Sequence, residues 1–174
     1  MNHYPPPAPL PEIRLPQPEE VSKGERGDAT ASYLMMFGSS IATLPLPIVN
    51  LVAAIVFFLV HRNKSRFVAF HSYQSMLGQI PVSLLNMSVI AWAVYTFFNE
   101  GSWVLVGGYA ALVGVVNVVY MVISLIAASK AHKGQVHYMP VFGKHAFERY
   151  YGPHARPLND LPEALPPNRP PPGY

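Results

Sequence analysis

Three long stretches of this chain carry no charged side chain, and they limit the folds open to it more than any other feature. No Asp, Glu, Lys or Arg occurs from Ala29 to His61, from Phe67 to Asn99, or from Gly101 to Ser129. Each run exceeds the roughly 20 apolar residues that a helix needs to cross a bilayer. A helix on the surface of a soluble core would carry charges on its outer face, and these runs supply none. Over all 174 residues only 12% are charged, against about 25% in an average soluble domain. The reading is an all-α, polytopic helical membrane protein with three to four membrane segments.

Proline marks the ends. Residues 1–28 form a Pro-rich N-terminal tail with Pro5, Pro6, Pro7, Pro9, Pro11, Pro16 and Pro18, where extended, solvated backbone is expected. This tail has no apolar stretch of the kind a signal peptide needs. Residues 29–133 form the helical membrane domain. Residues 134–152 form an interfacial segment with a short amphipathic helix in the later part of Tyr138–Tyr151, and residues 153–174 form a second Pro-rich tail.

Pro45 and Pro47 interrupt the first run near its middle. A continuous helix there would be roughly 48 Å long, too long for a hydrocarbon core of about 30 Å without strong tilt. The first segment is therefore broken at Pro45–Pro47. A broken helical hairpin is preferred to a single kinked span.

The second run reads as one long helix. Ser72, Ser75, Gln79, Ser83 and Asn86 recur on it at three- and four-residue spacing and form a polar stripe. Pro81 lies within it, where a kink is expected. After the turn at Asn99–Ser102 the third run carries a second stripe, Asn117, Tyr120 and Ser124. The two stripes would satisfy each other if these helices pack together. Intramembrane polar stripes have two readings: interhelical hydrogen bonds or the wall of a hydrophilic path.

Cations set the orientation. Arg62, Lys64 and Arg66 lie at the start of the second helix, and Lys130, His132 and Lys133 at the end of the third. The intervening turn holds Glu100 and no cation. Basic flanks face the cytoplasm, so a bacterial inner-membrane protein with a cytoplasmic C-terminus is expected. With a hairpin first, the N-terminus is cytoplasmic too. The net charge of +3 is small and suits lipid head groups rather than nucleic acid.

Catalytic signals are missing. The chain has no cysteine, and Glu100 is the single carboxylate between Asp28 and Glu148. Paired-carboxylate chemistry inside the membrane is therefore unavailable. No phosphate-binding loop, nucleophile elbow or zinc helix is found. His71 is the one histidine well inside a span. It can be read as a haem or pigment ligand or as an ordinary interfacial residue. No cofactor, no metal and no small-molecule substrate is assigned.

The junction carries a family resemblance. Arg62-Asn63, then Ser65-Arg66-Phe67-Val68-Ala69-Phe70-His71 and Gln74, resembles the core motif of a family of small polytopic bacterial membrane proteins. That family is related to the channel subunit of the chloroplast inner-envelope import translocon and to some magnetosome membrane proteins. Ala127 to Gly134, with Tyr138 and Pro140, is similar to its closing segment. The resemblance spans roughly Ser32 to Tyr151. It implies a helical membrane domain, no established reaction, and a structural or interaction role for Arg66, Phe67, Phe70, His71 and Gln74. Plastid relatives tend to carry asparagine where His71 stands. They also separate the first two membrane segments more widely, which speaks against a complete four-span channel here.

The leading function is thus a non-enzymatic membrane protein that associates with other membrane proteins or with itself, as an accessory subunit of a larger complex. The alternative is a channel or translocation component. Within the motif, Phe67, Phe70 and Gln74 share a face expected to pack on the turn near Pro45–Pro47. His71 is expected to hydrogen-bond a backbone carbonyl freed there.

Overall fold

The computed structural model describes residues 14–42 and 47–152. Within them the chain forms five α-helices and one 3-10 turn. The helices are α1 (Lys23–Ala42), α2 (Pro47–His61), α3 (Arg66–Phe98), α4 (Trp103–His132) and α5 (Phe142–Tyr150). No strand occurs among the described residues.

Local chemistry explains the boundaries. Ser22 and Glu25 make a capping box: the Glu25 N–H donates to Ser22 Oγ at 3.2 Å, and the Ser22 N–H donates to Glu25 Oε2 at 2.9 Å. Helix α1 therefore starts six residues before the first charge-free run, within the stretch assigned to the N-terminal tail. The fold reaches further back still, because Leu15 and Val21 are buried in the core. Helix α2 opens on Pro47, a position where proline costs no hydrogen bond. Pro45 lies outside the described residues. Helix α3 continues through Pro81. Helix α4 ends where Gly134 takes φ +72°, a left-handed cap open to glycine.

α1 and α2 are antiparallel neighbours. Asp28, near the start of α1, lies 3.7 Å from both His61, at the end of α2, and Lys64 beyond it. This is the hairpin arrangement rather than one kinked rod. α1 packs on α2, α3 and α4, and α3 packs on α5 as well, while α2 and α4 do not touch among the described residues.

Two helices, α3 and α4, are long and apolar enough to cross a membrane. The expectation of three to four segments reduces to these two. Helix α2 is apolar but has only 15 residues, and α1 carries Lys23, Glu25, Arg26 and Asp28 in its first two turns.

The core sits at one end. Phe67 joins Ala29, Tyr33, Tyr120, Ala127, Ala128, Ala131 and Met139 in one cluster. Phe70 and Tyr73 join Leu15, Phe58, Ala146, Phe147 and Tyr151 in another. At 1.5 Å per residue α3 is roughly 50 Å long and α2 only about 22 Å, so α3 and α4 run on past the α1–α2 hairpin. Their far halves present Phe97, Phe98, Val104 and Leu105 outward, with Val104 83% exposed. Such a surface is stable against lipid and not against water.

Candidate functional site

The motif residues meet the closing segment at the core end of the bundle. Gln74 is fully buried. Its Nε2 donates to the His137 carbonyl at 3.0 Å, and its Oε1 accepts from the Met139 N–H at 2.8 Å. One side-chain amide thus takes the place of a neighbouring strand for the backbone on either side of Tyr138. Without it those two groups would be buried unpaired, which is costly.

His71 is fully buried one turn earlier. Its Nδ1 lies 3.0 Å from Tyr33 Oη on α1, and its ring meets Phe67 and Phe70 edgewise at 4.5 and 5.1 Å between centroids. The expected bond to a carbonyl near Pro45–Pro47 is not found among the described residues, where Pro47 lies at the level of Ser83, three turns further along α3. A tyrosine hydroxyl from the middle of α1 meets the ring instead. Among the described residues the Phe67, Phe70 and Gln74 side chains pack on α1, the end of α2, the end of α4, the closing segment and α5, while the hairpin turn at 43–46 lies outside them. A haem on His71 would need an open face beside the ring. Tyr33, Phe67 and Phe70 fill that space, so this packing does not fit a tetrapyrrole.

Helix α5 is fastened from the other side. Tyr73 Oη lies 3.1 Å from His145 Nε2, and the Arg149 guanidinium stands over the Tyr73 ring at 4.9 Å. Burial pushes the Tyr138 and Tyr151 hydroxyls up from the ordinary tyrosine range. Burial first, and then the Lys130 charge, hold His137 below the usual histidine value. Arg66 is only half-buried, at the outer edge of this end.

The polar stripes lie further along α3 and α4. Ser72 Oγ turns back to the Ala69 carbonyl of its own helix at 3.2 Å. Ser75 Oγ donates to the Ser32 carbonyl on α1 at 2.6 Å, and Tyr120 Oη donates to the Ser75 carbonyl at 3.2 Å. Tyr120 can come this close because residue 78 is glycine: a Cβ there would stand 2.8 Å from the tyrosine ring. Ser83 Oγ donates to the Pro47 carbonyl at 3.2 Å. Asn86 and Asn117 exchange two amide hydrogen bonds, each 3.0 Å. Ser124 is fully buried one turn past Tyr120.

Beside the asparagine pair is a cavity of about 340 Å³, lined by Asn50, Gln79, Ser83, Asn86, Asn117 and Tyr120 among others. Gln79 is buried, and among the described residues neither its Nε2 nor its Oε1 has a hydrogen-bond partner. No charged residue lines this space. Among the described residues no three of His, Asp and Glu come close enough to hold a metal ion.

Several of these residues were not singled out from sequence. Asn50 carried a signal, as the one amide in the apolar helix PIVNLVAAIVFFLVH. Tyr33, Tyr73 and His145 carried none, because tyrosine and histidine are common at membrane interfaces.

No curated protein and no solved structure matches the chain. A family match does exist, and it bears out the magnetosome side of the resemblance while leaving the link to the chloroplast translocon unshown. It runs from the first turns of α1, through the junction motif and both long helices, to His145 on α5. Residues 26–145 match the magnetosome magnetite crystal formation protein family, and the chain belongs to that family of membrane proteins.

Proposed function

We propose that this chain is a non-enzymatic membrane protein that works by associating with other membrane proteins, as an accessory subunit of a larger complex. One observation carries the reading: the polar groups of the motif best suited to chemistry are used to hold the chain to itself. Gln74 is bonded at both ends of its amide, and His71 is fully enclosed, with Nδ1 bonded to Tyr33 and Nε2 buried without a partner among the described residues. What remains on the outside of α3 and α4 is apolar surface. The family's name ties its members to magnetite crystal formation. On this reading the chain contributes there through protein contacts within the membrane, not through iron ligation. Extraction of native membranes into polymer-bounded lipid discs tests it. The expected particle contains a defined second polypeptide or a second copy, and particles holding the 19.2 kDa monomer alone contradict it.

The basic ends of α3 and α4 support a bacterial inner-membrane location with both termini in the cytoplasm. Single cysteines report this cleanly, since the chain has none of its own. Lys64→Cys is expected to label from the cytoplasmic side and Ser102→Cys from the other; the reverse pattern overturns the orientation.

A second reading, passage of polar solutes, is favoured by the cavity at Gln79. On that reading a Gln79→Cys variant reacts readily with a bulky water-soluble thiol reagent. On the association reading it does not.

A further inference from the structure

A second cavity, of about 210 Å³, lies where α3 begins, and its walls carry groups that the motif packing does not use. Lys64, Ser65, Arg66 and Tyr151 line it together with Glu20 and Glu25.

Ser65 stands at the N-cap of α3, yet its side chain makes no capping bond. Its hydroxyl is turned to Glu25 instead. The first backbone N–H of α3 with an intrahelical partner is that of Ala69, which bonds the Ser65 carbonyl at 2.9 Å. The N–H groups of Arg66, Phe67 and Val68 precede it and have no carbonyl within the helix. A helix end in this state favours an anion.

An independent observation comes from another part of the chain. Tyr151 is 4% exposed, and its hydroxyl has no hydrogen-bond partner among the described residues. It lines the same cavity as Arg66 and Lys64. A buried phenol without an acceptor is costly, and a phosphate oxygen in this space would supply one.

A simple anion does not satisfy the rest of the lining. Burial pushes the Glu25 carboxyl up, but hydrogen bonds from Ser65 and Ser22 outweigh it and hold the group below its ordinary value. The Gln17 backbone N–H and the Arg14 side chain do the same for Glu20. Both are therefore carboxylates beside two cations. A ligand that matches carries a phosphate and, a short distance away, an ammonium with N–H donors. The position suits a head group: α3 is long and apolar enough to cross a membrane, and the cavity is at its basic end, beside Arg62, Lys64 and Arg66.

We propose that this cavity binds a phosphoethanolamine group, its phosphate held by Arg66, Lys64, the Tyr151 hydroxyl and the free N–H groups of α3, and its ammonium by Glu20 and Glu25. The ligand is zwitterionic because the cavity is. A choline head has no N–H to give the carboxylates, and a glycerol head has no cation. This assigns the motif's Arg66 a partner outside the protein and does not depend on the association reading.

The test uses the full chain in phosphatidylcholine discs, with phosphatidylethanolamine or phosphatidylglycerol as a minor component, or with soluble phosphoethanolamine in the buffer. Native mass spectrometry reads retained lipid and thermal unfolding reads protection. Phosphatidylethanolamine is expected to be retained in preference to both other lipids and to raise the unfolding temperature. Tyr151→Phe should lower its retention about tenfold, the loss expected for one hydrogen bond to a charged group. In pure phosphatidylcholine the same variant should unfold no lower than the parent, because it removes only the unpaired hydroxyl. Arg66→Gln should abolish the preference. Protection by the lipid alone identifies the bilayer as the source. Equal protection by the soluble compound identifies a free molecule, and both uphold the site. Equal retention of phosphatidylglycerol or phosphatidylcholine overturns the proposal. So does a preference for phosphatidylethanolamine that persists in both variants, since that would be a property of the bilayer.

Discussion

Gln74 on α3 and Met139 in the closing segment are joined side chain to backbone across 65 residues of sequence, with the Met139 N–H 2.8 Å from Gln74 Oε1. The same amide donates to the His137 carbonyl. This contact ties the two parts that carry the resemblance, the junction motif and the closing segment, into one structure. Gln74→Leu should leave both backbone groups buried and unpaired, at a cost of about 1–3 kcal/mol. Thermal unfolding in detergent measures it, and amide exchange at Met139 should accelerate in the variant. Gln74→Glu keeps the acceptor but sets a carboxylate against the His137 carbonyl, so it should also destabilise.

Tyr33 and His71 form the matching tie between α1 and α3. Tyr33→Phe leaves His71 Nδ1 without its partner, and a loss of about 1–3 kcal/mol is expected. Removing both polar groups, in Tyr33→Phe with His71→Leu, should cost less than the two single losses added together. That coupling is read from a double-mutant cycle of unfolding free energies.

The Asn86–Asn117 pair should be worth less. Each Nδ2 also donates to a carbonyl of its own helix, Val82 at 2.9 Å and Val113 at 2.8 Å, so breaking the pair leaves each amide a partner. Asn86→Leu is expected to cost about 0.6 kcal/mol, the typical value for a hydrogen bond between membrane helices. Unfolding in bicelles under increasing denaturant measures it.

The long helices were legible because charge is excluded from hydrocarbon: the first uncharged run holds α1 from Ala29 onward together with α2, and the other two mark α3 and α4. The asparagine pair was legible for a related reason, since amides in apolar helices seek each other. The start of α1 was not. Its first turns carry Lys23, Glu25, Arg26 and Asp28, and the preceding prolines resemble a free tail, so nothing apolar announced that Leu15 is buried. The partner of Gln74 was not legible either, because a side-chain amide that binds backbone leaves no mark on the sequence it binds. The partner of His71 was not legible for a like reason. A proline break frees a carbonyl and so drew the expectation there, whereas the hydroxyl that meets the ring belongs to Tyr33, 38 residues away.

Association through the outer faces of α3 and α4 is tested most directly by a cysteine scan of α4 from Val104 to Ile126 in native membranes, with a short thiol-to-amine cross-linker. An interface on one side of a helix recurs every 3.6 residues. The association reading predicts adducts of one discrete mass at positions repeating with that period, and none between them. Adducts absent at every position, or formed equally at all of them, would contradict it.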